Sequence, residues 1–276
     1  MSEPTRPERY HYDPSLAAAV IFAGLFGISG LAHLVQMIKG RAWYFAAFFV
    51  GVLFEVFGYL ARAVSARQTP DWEDGPFIAQ TLLLLLAPAL FAASIYMILG
   101  RIIRILQAEK HSIIRVTWLT KIFVLGDVLS FLVQTAGGVM LTNADSQSDL
   151  DRGRNIVLTG LGIQITFFGI FIAVISAFHY RIVRSPTTAS METVLPWKRY
   201  MYVLYFASVL IMARSIFRVA EFAAGQESVL QTEEAFIYGL DATLMFICTV
   251  LFNVQHPSIV VQKHQYKPTE VELLSA

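Results

Sequence analysis

Residues 200–221, "YMYVLYFASVLIMARSIFRVAE", form an apolar run whose last third carries two arginines and a glutamate. The run is long enough to cross the hydrocarbon core of a bilayer, which takes about 20 residues of α-helix. Along such a helix, Arg214, Arg218 and Glu221 fall within roughly 60° of one another. They form a charged stripe on one face, and this stripe needs polar partners from other parts of the chain.

The composition places the whole chain in the same class as this stretch. Of its 276 residues, 56% are hydrophobic and only 15% are charged, which indicates a membrane protein. The net charge of +1 provides no overall field that would attract nucleic acid. With Cys248 as its single cysteine, the chain cannot form an internal disulfide.

Windows of about 20 apolar residues predict seven membrane spans. The spans cover residues 15–37, 43–65, 77–100, 117–141, 156–179, 200–224 and 235–255. Because only helices and closed barrels satisfy their backbone groups within a bilayer, we predict an all-α, seven-helix membrane domain over residues 15–256. A disordered extracellular tail (1–14) and a cytoplasmic tail (257–276) are expected to flank it.

Lysines and arginines outside the predicted spans indicate how the bundle is oriented. The N-terminus and the loops on its side carry five: Arg6, Arg9, Arg67, Arg152 and Arg154. The opposite side carries twelve: Lys39, Arg41, Arg101, Arg104, Lys110, Arg115, Arg181, Arg184, Lys198, Arg199, Lys263 and Lys267. Since cytoplasmic loops are the richer in Lys and Arg, we predict an extracellular N-terminus and a cytoplasmic C-terminus.

Inside the spans, charged side chains form a layer that runs from the midplane toward the predicted outer face. Apart from Lys121, which can extend toward the cytoplasmic interface, they are Glu55, Arg62, Asp127, Arg214, Arg218, Glu221 and Asp241. An unpaired charge near the bilayer centre costs about 2.5–3.5 kcal/mol, so pairing across the bundle is expected. We predict that Glu221 pairs with Arg218, and that Arg214 pairs with a carboxylate of another span. Estimated depth favours Asp127 or Glu55 over Asp241 as that partner.

Further predictions follow from the same layer. Glu55, Asp127, Arg214, Arg218 and Asp241 are expected to line one connected cavity, and a purely structural role in fixing helix register also stays open. Pro88 is expected to kink the third span as a packing feature. His33 is interpreted as a hydrogen-bonded core residue, and Gly137–Gly138 and the glycines of "GLG" (160–162) as points of close helix approach.

Seven segments, in order along the chain, carry a resemblance to a known family. They are "EVFGYLAR" (55–62), "LLAPALFAASIYMILGRII" (85–103), "FVLGDVLSFLVQTAGG" (123–138), "GLGIQ" (160–164), "RSIFRVAE" (214–221), "EAFIYGLD" (234–241) and "FNVQHP" (252–257). Together they resemble the fungal lipid-translocating exporter family, whose founding members confer resistance to an aminosterol. The resemblance covers nearly the whole membrane region, from the second span to the seventh.

The resemblance implies a multi-pass plasma-membrane protein that handles amphipathic molecules, such as sphingoid bases, sterol-like toxins or porphyrins. We therefore predict a membrane transporter or translocase of such molecules that uses a polar cavity in the outer half of the bundle. The resemblance also implies that the matching polar positions bind the substrate. These positions are Glu55, Tyr59, Arg62, Asp127, Gln134, Gln164, Arg214, Arg218, Glu221, Tyr238 and Asp241. An ammonium headgroup would suit Glu55, Asp127 or Asp241, whereas a phosphate or carboxylate would suit Arg214 and Arg218.

Two other classes of protein compete with a transporter of amphiphiles. A seven-helix receptor for an amphipathic ligand fits the topology, although the loops that often carry bridging cysteines have none here. A metal-dependent intramembrane hydrolase would need several histidines at one depth, and His33, His179 and His256 lie away from the charged layer. We therefore predict no catalytic residue, no metal and no cofactor. Because a glycine-rich phosphate loop is absent from the sequence, direct coupling to ATP is unsupported.

Overall fold

The computed structural model describes residues 14–69, 73–142, 146–224, 228 and 233–258. These residues contain no strand, and seven of their helices are long and apolar enough to cross a membrane. In chain order they are α1 (Leu16–Lys39), α2 (Ala46–Arg67, after a 3-10 turn at Trp43–Phe45), α3 (Asp74–Ile105), α4 (Val116–Thr142), α5 (Gln147–Arg184), α6 (Trp197–Ala224) and α7 (Glu234–Val254). The predicted all-α, seven-helix membrane fold is confirmed.

Three predictions about the ends of the chain are not tested by this fold. Residues 1–13 of the predicted N-terminal tail and residues 259–276 of the predicted C-terminal tail lie outside the described residues. The direction of insertion also stays a prediction. The end of the bundle that carries the start of α1 is therefore called the N-terminal end below, and the end that carries the close of α7 is called the opposite end.

Helix neighbours decide which polar residues can meet. Helix α3 packs against α2, α4 and α6, whereas α4 packs mainly between α3 and α5. Helix α7 closes the bundle against α1 and α6. Aromatic rings fill the space between these helices, for example Phe48, which stacks on Phe45 and Phe91 at centroid distances of 4.5 and 4.4 Å.

Helix α5 is longer than the predicted span at residues 156–179. Its first turns, Gln147–Asn155, were expected to be a loop, but they are helical. Ser146 caps the helix by accepting a hydrogen bond from the backbone N–H of Asp149, and Arg154 pairs with Asp151 at 3.1 Å on the helix surface. At about 1.5 Å per residue this 38-residue helix exceeds the roughly 30 Å thickness of the hydrocarbon core. Part of the helix therefore projects beyond the core.

Gly137 and Gly160 hold α4 and α5 close together, as the sequence predicted, whereas the prediction is wrong for Gly138 and Gly162, which have open space where a Cβ would lie. A Cβ atom added to Gly160 would lie 2.6 Å from Gln134 Cγ, and one added to Gly137 would lie 2.7 Å from the backbone nitrogen of Val157. Side chains at these two positions would push the helices apart. The contact is therefore one of small residues packed backbone to backbone, as is common between membrane helices.

Neutral hydrogen bonds connect α7 to its neighbours at the opposite end of the bundle. His33 Nε2 contacts the carbonyl oxygen of Thr249 at 3.0 Å, and Asn253 Nδ2 donates to Ser29 Oγ at 2.6 Å. The Tyr200 hydroxyl donates to the carbonyl oxygen of His256 at 3.0 Å. His33 is thus a hydrogen-bonded core residue, as predicted, and this half of α7 is fixed to the bundle without ion pairs among the described residues.

Candidate functional site

The first half of α7 contains a π-helical turn at Tyr238–Ala242, between the α-helical segments Glu234–Ile237 and Thr243–Val254. Both the backbone N–H and the hydroxyl of Thr243 donate to the carbonyl oxygen of Tyr238, the hydroxyl at 2.7 Å. Such a turn inserts one extra residue into the helix, and it occurs frequently at functional sites. Here it carries Asp241 into the bundle.

Asp241 pairs with Arg214 of α6. Arg214 Nε donates to Asp241 Oδ1, and Arg214 Nη2 lies 3.5 Å from Asp241 Oδ2. Only 2% of Arg214 and 4% of Asp241 is exposed, so the two charges have little solvent to stabilise them. The prediction that Arg214 pairs with a carboxylate of another span is confirmed. The ranking of the candidate carboxylates by depth was wrong. Asp241 lies on α7, which adjoins α6, whereas Asp127 lies on α4, which does not pack closely against α6.

Arg214 also compensates for a proline in α3. Its Nη2 donates at 2.8 Å to the carbonyl oxygen of Leu84. In a regular helix that carbonyl would accept from the N–H of residue 88, but residue 88 is Pro88, which has no N–H. The guanidinium therefore supplies the donor that the proline lacks. This is more than the simple packing kink expected from the sequence.

Arg218 lies one turn further along α6. Its Nη1 donates to Glu221 Oε2 at 2.8 Å, which confirms the predicted pair along the helix, and it lies 4.0 Å from Asp241 Oδ2. Asp241 thus has two guanidinium neighbours. Arg214 and Arg218 share this carboxylate, which joins the charged stripe of α6 to the π-helical turn.

Arg62 of α2 contacts the start of α7. Its Nη2 binds Glu234 Oε1 at 2.7 Å, and its Nε donates to the Tyr238 hydroxyl at 3.0 Å. Glu234 also accepts from the backbone N–H of Ser15, at 3.0 Å to each carboxylate oxygen. One carboxylate therefore ties the start of α1 and the end of α2 to α7.

We call these charged residues the ionic network: Arg62, Arg214, Arg218, Glu221, Glu234 and Asp241. Three guanidinium groups face three carboxylates, so the network is neutral when all six are ionised. Sequence reasoning missed Glu234, which it assigned to a loop. The signal was available, because Glu234 precedes Asp241 by seven residues and so shares its face of a regular helix.

Glu55 of α2 is a surplus acid beside this neutral network. It is 2% exposed, and it lies close enough to Arg214 and Asp241 to interact electrostatically with both. Its Oε1 atom is buried and has no hydrogen-bond partner among the described residues. One helical turn away, Tyr59 stacks on Phe26 at 5.7 Å and lies 6.0 Å from the Tyr238 ring. Glu55 therefore offers an acceptor at the end of an aromatic wall.

Asp127 does not join the ionic network, although it was predicted to line the same cavity. It lies on α4, where it borders a cavity of about 60 Å³ between α3 and α4 whose other walls include Leu90 and Ala93. The carboxylate is 4% exposed, and its Oδ2 atom has no hydrogen-bond partner in the part of the chain described. The Tyr96 hydroxyl is its polar neighbour. The prediction of one cavity shared by all five charged residues is therefore wrong for Asp127, and for the other four residues it stays a prediction.

Gln134 and Gln164 also lie away from the ionic network. Gln134 Nε2 donates to Ser130 Oγ at 2.6 Å and contacts Gln164 Oε1 at 3.3 Å, while Ser130 Oγ donates to the carbonyl oxygen of Gly160 at 2.7 Å. These bonds join α4 to α5 at their glycine contact. In this arrangement the amides hold two helices together, and their predicted contact with a substrate stays a prediction.

No group of three or more His, Cys, Asp or Glu side chains suited to a metal ion occurs within the described ranges. The contacts observed at the ionic network are ion pairs and hydrogen bonds. The charges of the ionic network pair with one another, although the buried Nε atom of Arg218 has no hydrogen-bond partner among the described residues. Glu55 and Asp127 each keep a buried oxygen that no described group satisfies.

Comparison of the sequence with known proteins identifies a matching family and several similar relatives. Residues 48–264 match the family described as "RTA1 like protein". Protein RTA1 of Saccharomyces cerevisiae is 34% identical over 91% of this chain and 86% of its own length. Protoporphyrin uptake protein 1 of the same yeast is 32% identical over 89% of this chain and 90% of its own length. The Sphingoid long-chain base transporter RSB1 is 25% identical over 88% of this chain and 72% of its own length. No solved structure matches the chain.

Proposed function

This chain belongs to the RTA1-like protein family, and from that premise we propose that it moves amphipathic molecules across a membrane. Relatives named for the transport of sphingoid bases and for porphyrin uptake support a role in membrane transport. We propose the plasma membrane as the site of action, with the N-terminus outside. Among amphiphiles, sphingoid bases and other long-chain amines are the substrates that we favour over sterol-like toxins and porphyrins.

One observation carries this choice of substrate. Glu55 is a buried acid beside a network whose three cations and three carboxylates already balance. The buried Oε1 atom of Glu55 has no hydrogen-bond partner among the described residues, which is costly, and an ammonium headgroup would satisfy this atom. The lipid-exposed faces of the helices would accommodate the tail, because they carry large apolar side chains such as Ile28, Leu125 and Val209.

The neighbouring residues suit such a headgroup. Tyr59, Tyr238 and Phe22 form one aromatic cluster near Glu55, with Phe22 and Tyr238 stacked at 5.1 Å. Aromatic faces attract ammonium groups. Binding of the cation next to Asp241 would also compete with Arg214 for that carboxylate. The ionic network would then rearrange as the headgroup passes.

Reconstitution tests the proposal. Purified protein in vesicles is given a fluorescent long-chain amine, and movement between leaflets is followed by quenching from outside. We expect Glu55→Gln to lower the rate roughly tenfold to a hundredfold, because it removes one charge-assisted contact of about 1.5–3 kcal/mol. Asp151→Asn, at an exposed acid near the start of α5, is the matched loss of charge and should leave the rate unchanged.

A long-chain alcohol of equal length separates headgroup recognition from simple partition. If the protein moves alcohol and amine equally, or if Glu55→Gln moves the amine at the original rate, Glu55 does not bind the headgroup. If no amphiphile moves while the helical fold and its thermal midpoint are retained, the transport proposal itself is contradicted.

A further inference from the structure

A polar pocket lies at the opposite end of the bundle, away from the ionic network. It has a volume of about 190 Å³ and is lined by the 3-10 turn before α2, the last turns of α3 and the first turns of α4. This volume is well above the roughly 10–15 Å³ that one water molecule requires. Nothing in the proposed transport path uses it.

Two arginines provide the charge of this pocket. Arg101 and Arg104 lie one turn apart on α3, and both line the cavity together with the hydroxyl-bearing Thr120. Neither guanidinium has a carboxylate within ion-pair distance in the described part of the chain. The pocket is thus positively charged and lacks an internal counter-ion among those residues.

The geometry of the pocket is fixed by an aromatic ring. The guanidinium carbon of Arg101 lies 3.8 Å from the centroid of the Tyr44 ring, and the Tyr44 hydroxyl donates to the carbonyl oxygen of Pro257 at 2.8 Å. Stacking orients the planar guanidinium, and an oriented guanidinium can form two parallel hydrogen bonds with a phosphate. Gly100 leaves space on the same wall, since a Cβ added there would meet Val116 and Thr120 only at 3.6 and 4.0 Å.

The surroundings place the pocket at the level of lipid headgroups. Trp43, next to Tyr44, is 63% exposed, and Trp118 in the first turn of α4 is 56% exposed. Exposed tryptophans mark the interface between membrane and water. By the distribution of Lys and Arg, this side is also predicted to be cytoplasmic, where anionic lipids attract basic residues.

We propose that this pocket binds the phosphate headgroup of an anionic membrane lipid, with Arg101 and Arg104 as its ligands. Thr120 would donate a further hydrogen bond, and Met97 and Val116 would contact the glycerol and first methylenes. The site is separate from the proposed transport path, so either proposal can fail while the other stands.

Binding is measured on the full-length protein in nanodiscs, by native mass spectrometry and by the thermal midpoint, with phosphatidic acid titrated into phosphatidylcholine. We expect retention of phosphatidic acid by the unmodified protein. Arg101→Gln with Arg104→Gln should weaken it at least about tenfold, because each direct hydrogen bond between a guanidinium and a phosphate contributes a factor of roughly ten or more. Arg181→Gln with Arg184→Gln, an exposed pair on the same side, removes equal charge and should change retention little.

A second variant keeps the charge and removes the space. Gly100→Leu should fill the pocket and abolish retention, whereas Gly162→Leu, at a glycine with open space around it, should not. If Gly100→Leu folds and still retains phosphatidic acid fully, or if both arginine pairs contribute equally, the lipid is attracted by general surface charge and the proposal is overturned.

Two controls distinguish other occupants. If inorganic phosphate raises the thermal midpoint in pure phosphatidylcholine as much as phosphatidic acid does, the ligand is a soluble phosphate and the lipid proposal fails. If the double variant Glu270→Gln with Glu272→Gln retains phosphatidic acid and the unmodified protein does not, the protein's own C-terminal carboxylates occupy the pocket. That result would also overturn the lipid proposal.

Discussion

Asp241 and Asp127 are the same residue type, and each is 4% exposed within a membrane helix. Asp241 has Arg214 and Arg218 beside it, whereas Asp127 has a tyrosine hydroxyl and an apolar cavity. Burial alone therefore does not indicate what a charged residue does inside a membrane. Its partners do, and they depend on which helix lies alongside.

The two surroundings imply two different roles. Around Asp241 the charges satisfy one another and join α6 to α7, so removing Asp241 leaves Arg214 buried without its carboxylate. Around Asp127 no cation is present in the described part of the chain, so neutralising the acid leaves no buried charge behind. The Asp241 region is therefore expected to be needed for folding, whereas the Asp127 carboxylate is not.

The largest effect is expected from Asp241→Asn. Arg214 would lose its carboxylate while remaining buried, which typically costs about 3–5 kcal/mol. The measurement is the free energy of unfolding, or the folded yield, in detergent. Arg154→Leu is the control, because it breaks the exposed pair with Asp151, which is worth at most about 1 kcal/mol. An Asp241→Asn protein as stable as the original would mean that the ionic network does not stabilise the bundle.

The next prediction removes both partners. Arg214→Leu with Asp241→Leu leaves no charge unpaired, so most of the stability should return. A residual loss of about 1–3 kcal/mol is expected, because the Leu84 carbonyl is left without a donor.

Adding Pro88→Ala to that double variant should recover the residual loss, since residue 88 then supplies the N–H. The single Pro88→Ala variant serves as the control. If the third substitution has no effect on the double variant, the bond between Arg214 and Leu84 contributes nothing to stability.

The smallest effect on stability is expected from Asp127→Asn, within about 1 kcal/mol of the original protein, because no cation loses its partner. Asp151→Asn provides an exposed acid for comparison. A loss of stability as large as that of Asp241→Asn would erase the distinction between the two acids. It would show that Asp127 pairs with a cation outside the described residues.

Much of the architecture was predictable from hydropathy, because a bilayer allows few solutions for long apolar runs. The class of partner for Arg214 was also predictable from the cost of an unpaired charge. Its identity was not, since depth along a helix says nothing about which helices are neighbours. Asp127 matched Arg214 in estimated depth, yet α4 packs between α3 and α5.

Two details were missed for separate reasons. Glu234 was assigned to a loop because the start of α7 lies at the uncertain edge of an apolar run. The contact between Arg214 and the Leu84 carbonyl had a readable signal, since a proline always frees the carbonyl four residues before it. The residue that supplies the missing donor, in contrast, can be identified only from the three-dimensional arrangement of the helices.

The link between Pro88 and Arg214 has a consequence for how the chain is made. The donor and its acceptor are 130 residues apart, and translation at about 5–20 residues per second separates their synthesis by on the order of 10 s. During that interval α3 has left the ribosome with a carbonyl that its own backbone cannot satisfy. We expect a chain stalled before residue 214 to keep α3 close to the insertion machinery, as site-specific crosslinking would detect. Pro88→Ala should release it earlier, and equal crosslinking of the two chains would contradict this order of assembly.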